Sequence, residues 1–288
     1  MLSHFALLTR HRIIFRSTRP LSWRGTLRHP LTVLIIFHET FHQSYYSDDR
    51  YDNAAIPDRL VGMMDALRDE GRYEVRSPEA ASRADLMRGH SEAHIDSVAA
   101  KPQLFAMASL AAGAALLGAD LAIRGEPSLA CVRPPGHHAS RSSAWGHCTF
   151  SNVALALLRL RDLGLITSAT VVDFDLHTGD GTQDVLKGWP QAQVLNPYGD
   201  TATEYLSVLE QQLQHAPQVD VLAVSAGFDA YKHDLGGKLD TEDYFSIGRL
   251  LQAHAIRLGH QRRFAVLEGG YYLPDLGKNA LAFCRGFE

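Results

Sequence analysis

The segment Asp173-Phe-Asp-Leu-His177 sets two carboxylates and an imidazole at every second residue. On a strand all three would turn to one face, with Phe174 and Leu176 on the other. Taken alone the pattern is weak, because an ion pair or a surface loop would produce Asp-x-His as readily. A further carboxylate strengthens it: the apolar run Val219-Asp-Val-Leu-Ala-Val-Ser225 opens into Ala-Gly-Phe-Asp229. Asp175, His177 and Asp229 would together offer oxygen and nitrogen ligands and leave a fourth position for water, the open arrangement expected of a catalytic Zn2+.

The pair His137-His138 follows Arg133-Pro-Pro-Gly136. Neighbouring imidazoles repel when both are protonated, so each needs a partner or a neutral form. Asp173, behind the ligand residues, and Asp180, in His177-Thr-Gly-Asp-Gly181, are candidate partners, giving two histidine–carboxylate dyads. A carboxylate on one ring nitrogen fixes the tautomer and raises the basicity of the other nitrogen, which suits proton transfer to and from water. The same histidines could instead only cap the Pro-Gly turn. In Glu268-Gly-Gly-Tyr271 the glycines let backbone approach a ligand closely, and the phenol could donate to a developing oxyanion. Simple packing is the commoner role of such a tyrosine.

These residues need elements to carry them. Continuous apolar runs predict strands over 31–37, 128–132, 169–174, 219–225 and 264–267, and helical periodicity covers 59–70, 91–99, 103–124, 150–163, 203–215 and 241–258. Buried strands separated by helices imply a mainly parallel sheet covered on both faces, with ligand sites beyond the carboxyl ends of its strands. Four of the strands run into the polar segments above. There is no repeat and no internal linker, so one domain is expected over 31–288. Residues 1–30 read as a basic, poorly ordered extension; a transit peptide or a start codon placed too far upstream would look the same.

Composition removes other classes. The chain has 288 residues, 45% hydrophobic and 21% charged, which suits a protein with a packed core. Its net charge is −4, but residues 1–30 hold six Arg and no acid, leaving 22 basic against 32 acidic residues, or −10, to the rest. No direct nucleic-acid binding is expected of such a surface. The longest apolar stretch, 104–119, is Ala- and Gly-rich and ends at Asp120, a buried helix rather than a membrane span. Cys131, Cys148 and Cys284 lie far apart without CxxC, so neither a disulfide framework nor a thiolate zinc site is indicated, and a reducing, cytoplasmic setting is expected.

Five ordered motifs carry a resemblance: Arg133-Pro-Pro-Gly-His-His-Ala139, Gly146-His-Cys-Thr-Phe-Ser-Asn-Val153, Val172-Asp-Phe-Asp-Leu-His-Thr-Gly-Asp-Gly-Thr-Gln183, Ser225-Ala-Gly-Phe-Asp-Ala230 and Leu267-Glu-Gly-Gly-Tyr271. Together they resemble the zinc-dependent histone deacetylases, class II-like, a family shared by bacterial acetylpolyamine amidohydrolases. The resemblance implies the three-layer α/β/α arginase-deacetylase fold with a mainly parallel sheet of about eight strands. It implies one Zn2+ per chain on Asp175, His177 and Asp229. The dyads would be His137–Asp173 and His138–Asp180, with His138 the favoured general base, and Tyr271 would stabilise the oxyanion. Gly146, His147 and Gly270 would contact an acyl-lysine or acetylpolyamine substrate, which is hydrolysed with release of acetate. A structural K+ beside the zinc also belongs to the pattern; self-association into a homo-oligomer is left open.

Three departures stand out. Thr178 replaces a usual second histidine, and His147 replaces a phenylalanine that walls the substrate channel. The path from Gln183 to Glu204 lacks the usual strand and its Pro-Gly-Thr-Gly loop, leaving Val194-Leu-Asn-Pro-Tyr-Gly-Asp200. The shortening takes away a channel wall and part of the K+ site. It motivates one alternative, a catalytically impaired metal-binding or regulatory relative. Another is an arginase-like two-metal hydrolase using Asp180 as an extra ligand, with Asp234 the nearest additional carboxylate to Asp229.

Overall fold

Short runs of β-branched and small apolar residues form the strands of a computed structural model that describes residues 32–45 and 56–288. Seven strands are found there: β1 (Leu34–Ile36), β2 (Val75–Arg76), β3 (Ser128–Ala130), β4 (Ala169–Asp173), β5 (Ala192–Leu195), β6 (Leu222–Ala226) and β7 (Arg263–Leu267). All pairings are parallel, in the order β2-β1-β3-β7-β6-β4-β5. Every residue of β3, β4, β6 and β7 is buried, the reason these strands read as mostly apolar runs. The described sheet thus has seven strands where about eight were expected. The expected extension 1–30 lies outside the described residues.

Two sequence expectations are corrected. The strand thought lost from the 184–204 stretch is present as β5, hydrogen-bonded to β4 from Ala169↔Ala192 to Val172↔Leu195. It was obscured because Ala-Gln-Val-Leu is short and only half-buried at the sheet edge. Conversely, β4 stops at Asp173, and 175–177 form bends rather than a strand. Strand alternation therefore does not gather Asp173, Asp175 and His177.

Helices cover both faces. Pro102–Ile123 and Asn152–Asp162 pack together on one side; the former is the one described helix long and apolar enough to cross a membrane, yet most of it is buried inside the fold. On the other side Thr241–Arg257 packs along Leu273–Phe287, the first held by a capping box between Asp240 and Asp243. Phe283 brings its ring within 5.2 Å of Phe174, which meets Phe228 edge-on at 5.6 Å. Each such buried ring contributes about 1.5–3 kcal/mol. Phe174 and Phe228 sit between or beside the ligand-type residues, so the core anchors the loops that carry them. Tyr205 Oη donates to the Phe174 carbonyl and Tyr244 Oη to that of Phe228, each at 3.0 Å, satisfying backbone where β4 and β6 end.

Candidate active site

The carboxyl ends of β3, β7, β6 and β4 are neighbours in the sheet, and each delivers one part of the site. After β4 the chain turns on its own carboxylates. Asp175 N–H donates to Asp173 Oδ1 at 3.2 Å, and His177 N–H to Asp175 Oδ1 at 3.0 Å. After β6, Asp229 accepts from Leu176 N–H at 2.9 Å, tying the two loops together. Gly269 N–H, after β7, donates to Asp175 Oδ2 at 2.8 Å. At Gly227 a Cβ would fall 2.2 Å from Asp175 Oδ2, so only glycine lets the β6 loop pass there.

One oxygen each from Asp175 and Asp229 and a ring nitrogen of His177 lie within 4.8 Å of one another. His177 Nδ1 is 3.2 Å from Asp175 Oδ1 and 3.1 Å from Asp229 Oδ2. Asp229 Oδ2 is buried, and the His177 ring is the polar group that faces it. Two buried carboxylates facing one imidazole suit a divalent cation with borderline preferences such as Zn2+. Without the ion, the His177 ring donates to the Asp175 and Asp229 carboxylates, which raises its pKa to about 10. Burial, then the Asp175 charge, pushes Asp229 up to about 6.

His137 and His138 stack side by side with ring centroids 4.0 Å apart. His137 Nδ1 is 3.1 Å from Asp173 Oδ2, and its Nε2 is 3.8 Å from Asp175 Oδ1. Burial would lower its pKa, but the Asp173 and Asp175 charges outweigh this and hold it well above the ordinary value. His138 Nδ1 is 2.6 Å from Asp180 Oδ1. Burial and the neighbouring His137 charge lower its pKa. Asp180 is held ionised by hydrogen bonds that outweigh its partial burial, so neutral His138 carries its proton on Nδ1 and keeps the Nε2 lone pair free. The two adjacent histidines are thus pushed apart in basicity, one charged and one neutral.

A cavity of about 300 Å³ opens over these groups, lined by both histidines, His177 and Tyr271, and by Trp145, Gly146, His147 and Leu235. Burial raises the Tyr271 pKa, with the Arg59 charge opposing and the Asp175 and Asp229 charges adding. Gly270 does not line the cavity; its carbonyl accepts from Arg59 Nε at 2.9 Å. Among the other carboxylates, Asp180 is engaged by His138 and Trp145, and Asp234 accepts from the N–H groups of Tyr271 and Tyr272 at 2.6 and 2.7 Å. Asp180 and Asp234 thus each have partners of their own, and neither belongs to the Asp175–His177–Asp229 cluster.

Three supporting residues were missed in the sequence. Buried Arg59, with its guanidinium 5.3 Å from the Tyr271 ring centroid, ties down the Gly270 and Glu268 carbonyls. Buried Glu268 accepts from Gly136 and His137 N–H, at 2.6 and 3.1 Å, fixing the turn that presents the histidines. Trp145 lies against His138, with ring centroids 3.6 Å apart. Arg59 gave no sequence signal beyond a helical pattern, whereas Trp145 immediately precedes a motif residue and could have been weighed.

Known proteins resemble this chain in sequence and in fold. The histone deacetylase domain matches residues 54–205 and 191–287, two stretches that overlap around β5. A probable deacetylase of Methanothermobacter thermautotrophicus is 27% identical over 88% of this chain and 91% of its own length. The polyamine deacetylase HDAC10 of Mus musculus is 30% identical over 85% of this chain, which spans only 46% of that protein. The crystal structure of the HDA15 HD domain superposes with a TM-score of 0.76 at 22% identity, covering 88% of this chain and 87% of that one, a likeness of fold.

Proposed function

We propose that this chain, which belongs to the histone deacetylase family, is a zinc-dependent hydrolase of N-acyl amides on primary amines, with acetyl-lysine or an acetylated polyamine as substrate and acetate as product. The observation that carries the reading is one cavity over which a carboxylate–imidazole cluster and two histidine–carboxylate pairs converge.

Asp175, His177 and Asp229 would hold the zinc, which when bound supplies Lewis acidity at the amide carbonyl and lowers the pKa of water. His138 Nε2 takes the proton of the attacking water and returns it to the departing amine nitrogen, while Asp180 keeps the ring in the required tautomer. His137, held charged by Asp173, offsets the negative charge that develops beside it. Tyr271 stays protonated because burial holds its pKa high, and its hydroxyl donates to the carbonyl oxygen as that oxygen gains charge. The amide C–N bond is replaced by a C–O bond to the water oxygen, giving amine and carboxylic acid.

The test is turnover on acetyl-lysine peptides, acetylpolyamines and longer acyl-lysines, with metal measured on the same sample. Hydrolysis that a chelator abolishes, at one zinc per chain, supports the reading; a folded, zinc-loaded protein inert on the whole panel overturns it. Tyr271→Phe lowers kcat by about 10²–10³-fold with bound zinc unchanged, as measured by steady-state kinetics and metal analysis. Zinc binding also releases protons. With its pKa raised to about 10, metal-free His177 is protonated at neutral pH and must lose that proton to become a ligand. Calorimetry in buffers of different ionisation enthalpy therefore finds about one proton released per zinc at pH 7, and affinity weakens as pH falls.

A further inference from the structure

Trp145 holds both members of the His138–Asp180 pair. Its indole stacks on the His138 ring at 3.6 Å between centroids and 26° between planes, and its Nε1–H donates to Asp180 Oδ2 at 3.0 Å. That leaves Asp180 Oδ1 for His138 Nδ1, so each carboxylate oxygen has its own donor. The second donor matters because the Asp180 side chain is 49% exposed. A carboxylate that open to solvent, held by one hydrogen bond, could rotate and trade its imidazole partner for water.

The chain around Trp145 fixes the ring. Residues 139–144 fold back on themselves through an antiparallel bridge between Ala139 and Ala144. The fold-back is anchored by Arg141, whose N–H donates to Asp184 at 3.0 Å and whose carbonyl accepts from Ser91 N–H at 2.8 Å. After Trp145 the backbone turns sharply, with Gly146 at φ +58° and His147 at φ +70°. A Cβ on Gly146 would fall 3.0 Å from His138 Cδ2, so this turn lies against the same imidazole.

From this geometry we infer that Trp145 is a positioning residue for the general base, acting through Asp180 and through its stack on His138. The inference rests on the hydrolase reading above. A channel wall alone would explain the exposed indole at the cavity mouth, but not a hydrogen bond to the partner of the base.

Trp145→Phe keeps a ring for the stack and removes only the N–H. On the zinc-loaded protein we expect kcat to fall about tenfold, the worth of a hydrogen bond to a charged group, with KM changed by no more than about twofold. Trp145→Ala, which also loses the stack, lowers kcat further. In the Asp180→Asn background Trp145→Phe costs less than about twofold, because the group it acts through is already altered. A wild-type kcat in Trp145→Phe, or losses that multiply in the double variant, overturns the inference. A second readout needs no turnover: the far-downfield proton NMR signal of His138 Nδ1–H, assigned by its loss in Asp180→Asn. It exchanges with water faster in Trp145→Phe if the inference holds, and an unchanged exchange rate overturns it. If the wild-type protein hydrolyses nothing, the hydrolase reading falls on the turnover panel, and this signal still decides whether Trp145 holds the pair.

Discussion

Replacing Asp229 by Asn removes zinc binding, and hydrolysis with it. Asparagine keeps an oxygen for the 2.9 Å hydrogen bond from Leu176 N–H, so the tie between the β4 and β6 loops survives. What disappears is the charge of one of two carboxylate ligands, including that on the Oδ2 atom facing His177 at 3.1 Å. Loss of an outer partner of a ligand already costs 10–100-fold in affinity, so loss of the ligand charge itself weakens zinc by more than about 100-fold. The effect on the metal-free fold has the opposite sign. Asp229 titrates at about 6 because burial and the Asp175 charge oppose its ionisation, so the neutral amide relieves repulsion at neutral pH. The melting temperature of the metal-free variant is therefore no lower than that of metal-free wild type. Metal analysis, competition against a zinc chelator and thermal unfolding check the three statements, and tight zinc binding by Asp229→Asn contradicts the ligand assignment.

Replacing His138 by Ala separates metal binding from proton transfer. Zinc content stays at one per chain, since His138 is no ligand, while kcat falls by about 10²–10⁴-fold, the usual worth of a positioned base. Added imidazole restores part of the loss. The wild-type pH profile carries the same assignment. A base works when neutral, so activity is kept above its pKa and lost as pH falls through it. Burial and the His137 charge set that point below the ordinary imidazole value of 6.5. An acid limb above 6.5, or a His138→Ala variant with wild-type kcat, removes His138 from the role.

The sequence makes the centre of the sheet legible because β3, β4, β6 and β7 are buried throughout and mostly apolar. The polar residues just beyond them stand out by contrast, which is how Asp175, His177, Asp229 and the histidine pair can be picked without coordinates. The edges are illegible for the opposite reason: β5 is half-buried and β2 is two exposed residues long. The account of how Asp173, Asp175 and His177 come together also needed the structure. Hydrogen bonds from each backbone N–H to the carboxylate two residues earlier bend the chain, a local competition with strand geometry that periodicity does not reveal. Arg59 and Glu268 act through backbone contacts made across 209 and 132 residues of sequence, so no local pattern reports them.

Asp173, Asp175, Asp229 and Glu268 are each no more than 4% exposed, and they share one neighbourhood. Burial raises Glu268 to about 7 and Asp229 to about 6, so the metal-free fold loses stability as pH climbs through that window. An ion that binds only the folded chain reverses this, by about 4 kcal/mol at a thousand times its dissociation constant. Unfolding followed by calorimetry at about pH 5 and about pH 8 would then find the gap between filled and empty protein wider at the higher pH.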